Sequence, residues 1–110
     1  MLRFSTLLIS FFSVFLLIGQ DCKGDLIPKK GENRYWGYVN LLDEWVVLPS
    51  YTKVQPFRGK AAIVLKGKKY GALNCKGKVV ARCEYAKIQP FVANKAWVQK
   101  DDKWGLIADD

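Results

Sequence analysis

The sequence predicts an all-β protein built from tandem repeats, and three observations carry that reading. An aromatic residue followed by glycine recurs at Trp36-Gly37, Tyr70-Gly71 and Trp104-Gly105, a period of 34 residues. Short β-branched and aromatic runs are punctuated by Gly, Pro, Asn and Asp, the residues of turns. Proline returns at one phase of the period, at Pro56 and Pro90. That last point decides against paired helices, which also repeat every 34 residues in tetratricopeptide proteins. A proline inside a helix costs about 3 kcal/mol.

The phase holds without insertion. Tyr51 falls on Tyr85, Lys53 on Lys87, Val54 on Ile88, and Gln55-Pro56-Phe57 on Gln89-Pro90-Phe91. Ala62 and Val64 fall on Ala96 and Val98. One unit reads as a first strand over 36–41, a turn at Leu42-Asp43-Glu44 and a second strand over 45–48. An irregular stretch over 49–57 follows, bent at Pro56, and then a third strand over 60–65. Gly67-Lys68 turns into the next unit, with strands over 69–74, 78–82 and 95–99. Asp101-Asp102 turns into a last strand over 104–108.

The expectation is two full repeats plus a final strand, each unit an antiparallel meander of hairpins. Such a unit cannot bury its apolar face alone, so stacking must supply the core. Repeat proteins usually need about three units, which leaves self-association open as a further source of burial.

The start of the chain reads differently. Met1-Leu2-Arg3 opens it, and an apolar run from Phe4 to Ile18 follows, ending at Gly19. A basic start, an apolar stretch and a small residue at its end describe a secretory signal helix. The run falls short of the roughly 20 apolar residues needed to span a bilayer. The chain thus divides into a signal peptide at 1–19, a short N-terminal segment at 20–34 and a repeat domain at 35–110. Two alternatives stay open, an uncleaved anchor and lipidation at Cys22. Gln20-Asp21 before that cysteine lacks the small residues such processing wants.

Cleavage after Gly19 leaves 91 residues with 17 basic and 10 acidic side chains, a balance of +7. An exported protein of that charge suits anionic neighbours such as lipid headgroups, wall polymers or acidic proteins. Lysines that keep a β protein soluble explain the charge equally well. The expected location is periplasmic, extracellular or envelope-associated, with no transmembrane span after cleavage. No nucleic acid is expected as a partner.

The cysteines are Cys22, Cys75 and Cys83, an odd count that leaves one over. Pairing about a turn at Lys76-Gly77 would place Cys75 opposite Lys78 rather than Cys83. A disulfide between them is therefore not implied.

The chain has no histidine. That removes Ser-His-Asp and Cys-His nucleophile systems and the commonest general base. Without His or a paired-cysteine motif, no ordinary zinc site suggests itself. Glu84 is the one acidic residue between Pro49 and Lys100, so paired carboxylates are hard to assemble there. Lys66-Gly67-Lys68-Lys69-Tyr70-Gly71 has neither phosphate-loop nor dinucleotide spacing. No catalytic residue, metal ligand or cofactor site is expected.

Equal positions in successive units read as the repeat core: Trp36, Gly37, Tyr51, Phe57, Tyr70, Gly71, Tyr85, Phe91, Trp104 and Gly105. Each large ring would bury 150–250 Å², and the glycine allows a close backbone approach or a bulge. The competing reading is an aromatic surface that stacks on sugar rings or bases. Trp45 and Trp97 fall on Val79 and Ile63, so they are better surface candidates. Lys66, Lys68, Lys69, Lys76 and Lys78 lie at two hairpin turns, which stacking would make one basic edge. Such an edge would hold an anionic envelope polymer or membrane surface by charge. Against that stands the use of lysine to block strand aggregation.

The ordered set resembles the bacterial WG repeat. Trp36-Gly37-Tyr38-Val39-Asn40 and Lys103-Trp104-Gly105-Leu106-Ile107 fit its head. Gly77-Lys78-Val79-Val80 and Val46-Val47-Leu48-Pro49 fit its second strand. Tyr51 and Tyr85, Phe57 and Phe91, and Ala62-x-Val64 and Ala96-x-Val98 fit its tail. Tyr70 in place of Trp, and Ala81-Arg82-Cys83 where Ile-Pro is usual, are departures in the middle unit. The resemblance covers residues 35–108. It implies an exported or envelope-attached β-repeat protein that acts as a non-catalytic interaction module. It implies no reaction and no catalytic residues.

Overall fold

Turn residues every few positions cut residues 26–109 into ten antiparallel strands. A computed structural model describes residues 26–109. The signal segment and Cys22 lie outside the described residues. The strands are β1 (Ile27–Lys30), β2 (Trp36–Val39), β3 (Trp45–Tyr51), β4 (Lys53–Val54) and β5 (Ala61–Lys66). They continue as β6 (Lys69–Asn74), β7 (Val79–Tyr85), β8 (Lys87–Ile88), β9 (Lys95–Lys100) and β10 (Lys103–Ala108). Among the described residues there is no helix.

Three sheets form, with strand orders β1-β2-β3, β4-β5-β6-β7 and β10-β9-β8. The middle sheet is a complete four-stranded meander. The 34-residue sequence unit is out of phase with it. The unit that begins at Trp36 gives β2 and β3 to the first sheet and β4 and β5 to the second. The meander therefore belongs to two successive units rather than to one, which ties neighbouring sheets together covalently.

The strands differ from the sequence reading in three places. β3 and β7 run on to Tyr51 and Tyr85, and a short strand at Lys53–Val54 occupies part of the stretch read as irregular. Pro49 is tolerated inside β3 because β3 is an edge strand, where a missing N–H breaks no ladder bond. The segment 20–34 supplies β1, which pairs with β2. Its sequence, Ile27-Pro28-Lys29-Lys30, shows no period-two alternation.

The turn after β6 is also longer than expected. Asn74 N–H donates to the Lys78 carbonyl at 2.8 Å, so Asn74 and not Cys75 lies opposite Lys78. Gly77 at φ 85° supplies the left-handed residue that a three-residue loop needs. The Asn74 side chain holds this loop, its Oδ1 accepting from Lys76 and Lys78 N–H at 3.0 Å each. Asn40 repeats the arrangement, its Oδ1 accepting from Leu42 and Glu44 N–H. Asp101 and Asp102, both at positive φ, make the two-residue turn between β9 and β10.

Gly37 and Gly71 sit where the paired strand bulges close against their own. The β2–β3 register shifts between Trp36 and Tyr38, and the β6–β7 register shifts between Tyr70 and Ala72. A Cβ on Gly37 would collide with the Val47 carbonyl oxygen. A Cβ on Gly71 would lie 2.6 Å from the Ala81 carbonyl oxygen. These bulges pair Trp36 with Tyr51 and Tyr70 with Tyr85.

The core centre lies between the first and second sheets. It consists of Tyr38, Ala62, Val64 and Leu73, with Leu26, Val47, Tyr51, Val54, Phe57 and Cys83 packed around it. The repeated aromatics Trp36, Tyr51, Phe57, Tyr70, Tyr85 and Phe91 are half-buried, and of these Tyr51 and Phe57 pack against this centre. Tyr38 is fully buried yet escapes a repeat comparison, because Ala72 and Leu106 hold its place in the other units.

Cys75 is disulfide-bonded and Cys83 is a free thiol, so no bond joins the two.

Candidate interaction surface

The third sheet presents the surface that the other two cover. Along β9, Ala96 and Val98 are buried while Trp97 between them is 53% exposed. Alternation alone puts Trp97 on the side opposite the buried pair. Leu106 on β10 lies directly across from Trp97, and Trp104 two residues earlier shares that side. Leu106 is 52% and Trp104 47% exposed. Three large apolar side chains thus make one outward face, joined by a cross-strand pair.

The corresponding positions elsewhere are closed. Ile63 and Ala72 hold the places of Trp97 and Leu106 in the middle sheet and are buried. Pro90 and Phe91 line a small pocket with Ala61, Ala62 and Ile63 on that sheet. In the first sheet Tyr38 takes the place of Leu106. Its ring meets Phe57 edge-on with centroids 4.9 Å apart, and its hydroxyl donates to the Gln55 carbonyl at 2.5 Å. A Gln-Pro-Phe segment, 55–57 or 89–91, therefore lies against each of the first two sheets.

Trp104, expected in the repeat core, is a correction. Among the described residues no strand pairs with β10 as β3 pairs with β2 and β7 with β6. Gly105 is half-buried, and a Cβ there would meet only Val98 Cγ2, at 3.9 Å. Leu106 was missed by sequence reasoning, since an apolar residue in a strand carries no signal of exposure.

Trp45 is also exposed, at 37%, but it lies at the other end of the molecule. It pairs with Val39, which faces away from the side that Tyr38 turns to the middle sheet. Lys29 Nζ stands 5.7 Å from the Trp45 ring centroid and is held there by Asp43 at 2.9 Å. Both ends of that ion pair are solvated, so it orients Lys29 more than it stabilises the fold. Lys29, Asn33, Trp45 and Pro49 line an open groove of about 430 Å³. Trp45 and Trp97 therefore do not form one surface.

The lysines are all exposed but are not gathered. Lys66, Lys68 and Lys69 lie at the turn before β6, and Lys76 and Lys78 at the turn after it. A six-residue strand separates the two groups by about 20 Å. The single basic edge expected from the sequence is thus two separate clusters. Lys66 is near Cys83, whose thiol is pushed up by burial while Lys66 pulls the other way.

Among the described residues, no group of three or more Cys, Asp or Glu side chains is arranged to hold a metal ion. No helix there is long and apolar enough to cross a membrane.

Tandem antiparallel sheets, with each 34-residue unit divided between neighbouring sheets and glycine at the β2–β3 and β6–β7 close approaches, define an all-β repeat protein. The family described as WG containing repeat matches residues 36–70 and 70–104, and the chain belongs to that family. No curated protein and no solved structure matches it.

Proposed function

We propose that the chain is an exported, non-catalytic interaction module of the bacterial cell envelope, with a protein as its partner. One observation carries this: Trp97, Leu106 and Trp104 form an outward apolar face, whereas Tyr38 and Ala72 in the place of Leu106, and Ile63 in the place of Trp97, are buried. A contiguous exposed patch of this kind marks interaction surfaces in soluble proteins, and tryptophan is enriched among residues that dominate binding. The apolar run between Phe4 and Ile18 supports export. The missing histidine and sparse carboxylates support a role without catalysis.

The test is a pull-down with the purified chain against envelope extract, at low and high salt in parallel. A defined protein retained at high salt, and lost on Trp97→Ala, is the expected result. Turnover of a substrate by the pure chain would overturn the reading. So would capture that salt abolishes and that fails when Lys66, Lys68, Lys69, Lys76 and Lys78 are all replaced by Gln.

A further inference from the structure

We propose that a disulfide joins Cys22 to Cys75, tying the segment ahead of β1 to the β6–β7 loop and occupying the sulfur that a lipid anchor would need. This rests on the reading of the chain as exported, since such bonds persist in oxidising compartments.

The choice of partner for Cys75 is narrow. The sequence has three cysteines, Cys22, Cys75 and Cys83. Cys75 is disulfide-bonded and Cys83 is a free thiol. Within one chain that leaves Cys22, which lies outside the described residues. Geometry excludes Cys83 separately. A Cβ on Gly71 would meet Cys83 Sγ at 2.8 Å. Gly71 stands four residues before Cys75, about 13 Å along the strand. A bridged pair has its Cα atoms only about 4.4–6.8 Å apart.

The chain entering β1 comes to the right place. Leu26, the residue before β1, packs against the core. A Cβ on Gly77, in the β6–β7 loop, would lie 4.0 Å from Leu26 Cδ1 and 2.9 Å from Val47 Cγ2. The loop that carries Cys75 therefore sits against the first sheet where the chain enters it. Cys22 is four residues from Leu26, a reach of at most about 14 Å, and Cys75 is two from Gly77, a reach of about 7 Å. The two sulfurs can meet with no movement of either sheet. The loop is itself held, because Asn74 Oδ1 accepts from Lys76 and Lys78 N–H at 3.0 Å each.

Forming the bond joins Cys22 Sγ to Cys75 Sγ. The two thiols give up two protons and two electrons to an oxidised dithiol carrier, whose own disulfide is reduced to two thiols. A sulfur in that bond cannot also hold the thioether of a lipid. The hold of the chain on the envelope then falls to its folded surface. The same bond locks the first sheet to the middle one beside the core between them.

The test is peptide mapping of the whole chain, purified from cells with its thiols alkylated and cut by trypsin without reduction. Trypsin separates the cysteines: Cys75 falls in 70–76, Cys83 in 83–87 and Cys22 in a peptide ending at Lys23. The expected result is 70–76 linked to the peptide ending at Lys23, with 83–87 alkylated. Cys22→Ser and Cys75→Ser should each lower the melting temperature by roughly 10 °C, and the double variant by no more than either.

A lipid on Cys22 overturns the proposal, as does 70–76 linked to 83–87 or to a second copy of itself. Additive losses in the double variant also overturn it. A chain that stays in the cytoplasm yet forms the Cys22–Cys75 bond on oxidation in vitro removes export and leaves the pairing. A chain found in the envelope with any other pairing removes the bond and leaves export standing.

Discussion

The Tyr38 hydroxyl donates to the backbone carbonyl of Gln55 at 2.5 Å, from a side chain with no solvent exposure. The bond joins the first sheet to the segment that leads into the second. Phe57, two residues on, meets the same ring edge-on. Tyr38→Phe keeps the ring and removes the donor, so it should cost about 1 kcal/mol, the net worth of a neutral hydrogen bond. Phe57→Ala should cost roughly 2 kcal/mol, below the 3–5 kcal/mol of a fully buried ring, because Phe57 is only half-buried. Urea unfolding followed by tryptophan emission measures both.

Alkaline pH should weaken the fold through the same cluster. Burial, with Tyr51 adding to it, holds the Tyr38 phenol far above the usual tyrosine range. Burial also raises Tyr51, with Cys83 adding, and raises the Cys83 thiol against the pull of Lys66. All three are acids whose neutral forms the folded state favours. Their contribution is complete below the ordinary thiol and phenol range and is lost as pH rises from about 9 upward. The melting temperature should therefore show no loss from these groups between pH 6 and about 8 and should fall above that. Tyr38→Phe should make the alkaline fall shallower, and an unchanged slope would contradict this.

The three glycines of the repeat should respond unequally to the same substitution. Gly37→Ala and Gly71→Ala drive a methyl into the backbone of β3 or β7. Each should cost about 1–3 kcal/mol, as overpacking does. Gly105→Ala meets only Val98 Cγ2 at 3.9 Å, so its effect should stay within about 0.5 kcal/mol. Three melting curves decide the matter, and equal losses would refute the close-approach explanation.

Thiol chemistry should separate the two described cysteines. Cys83 is free and half-buried, with burial raising its thiol, so alkylation near neutral pH should be slow in the folded chain. Unfolding without reductant should expose Cys83 to full labelling, while Cys75, held in a disulfide, should label only after reduction. Peptide mapping by mass spectrometry reads both.

Trp97→Ala should barely change stability, since the ring is more exposed than buried and sits over no neighbouring sheet. A change within about 0.5 kcal/mol is expected for a surface site. A large loss on unfolding would mean the ring supports the fold rather than a partner.

The period of 34 residues, the all-β class, the turns at Gly67-Lys68 and Asp101-Asp102 and the family all followed from the sequence. They did so because turn residues and apolar alternation act locally and repeat in register. Which repeated aromatics are covered did not follow from it. Trp36, Tyr70 and Trp104 are equivalent in sequence, yet among the described residues only the first two have a paired strand on that side, through Tyr51 and Tyr85. Burial depends on what a later segment brings against a residue, and that segment lies up to a full period away. For the same reason the tertiary structure alone revealed that each sequence unit is shared between two sheets. It also separated the lysine turns by the length of β6 and left the face of Trp97, Leu106 and Trp104 open.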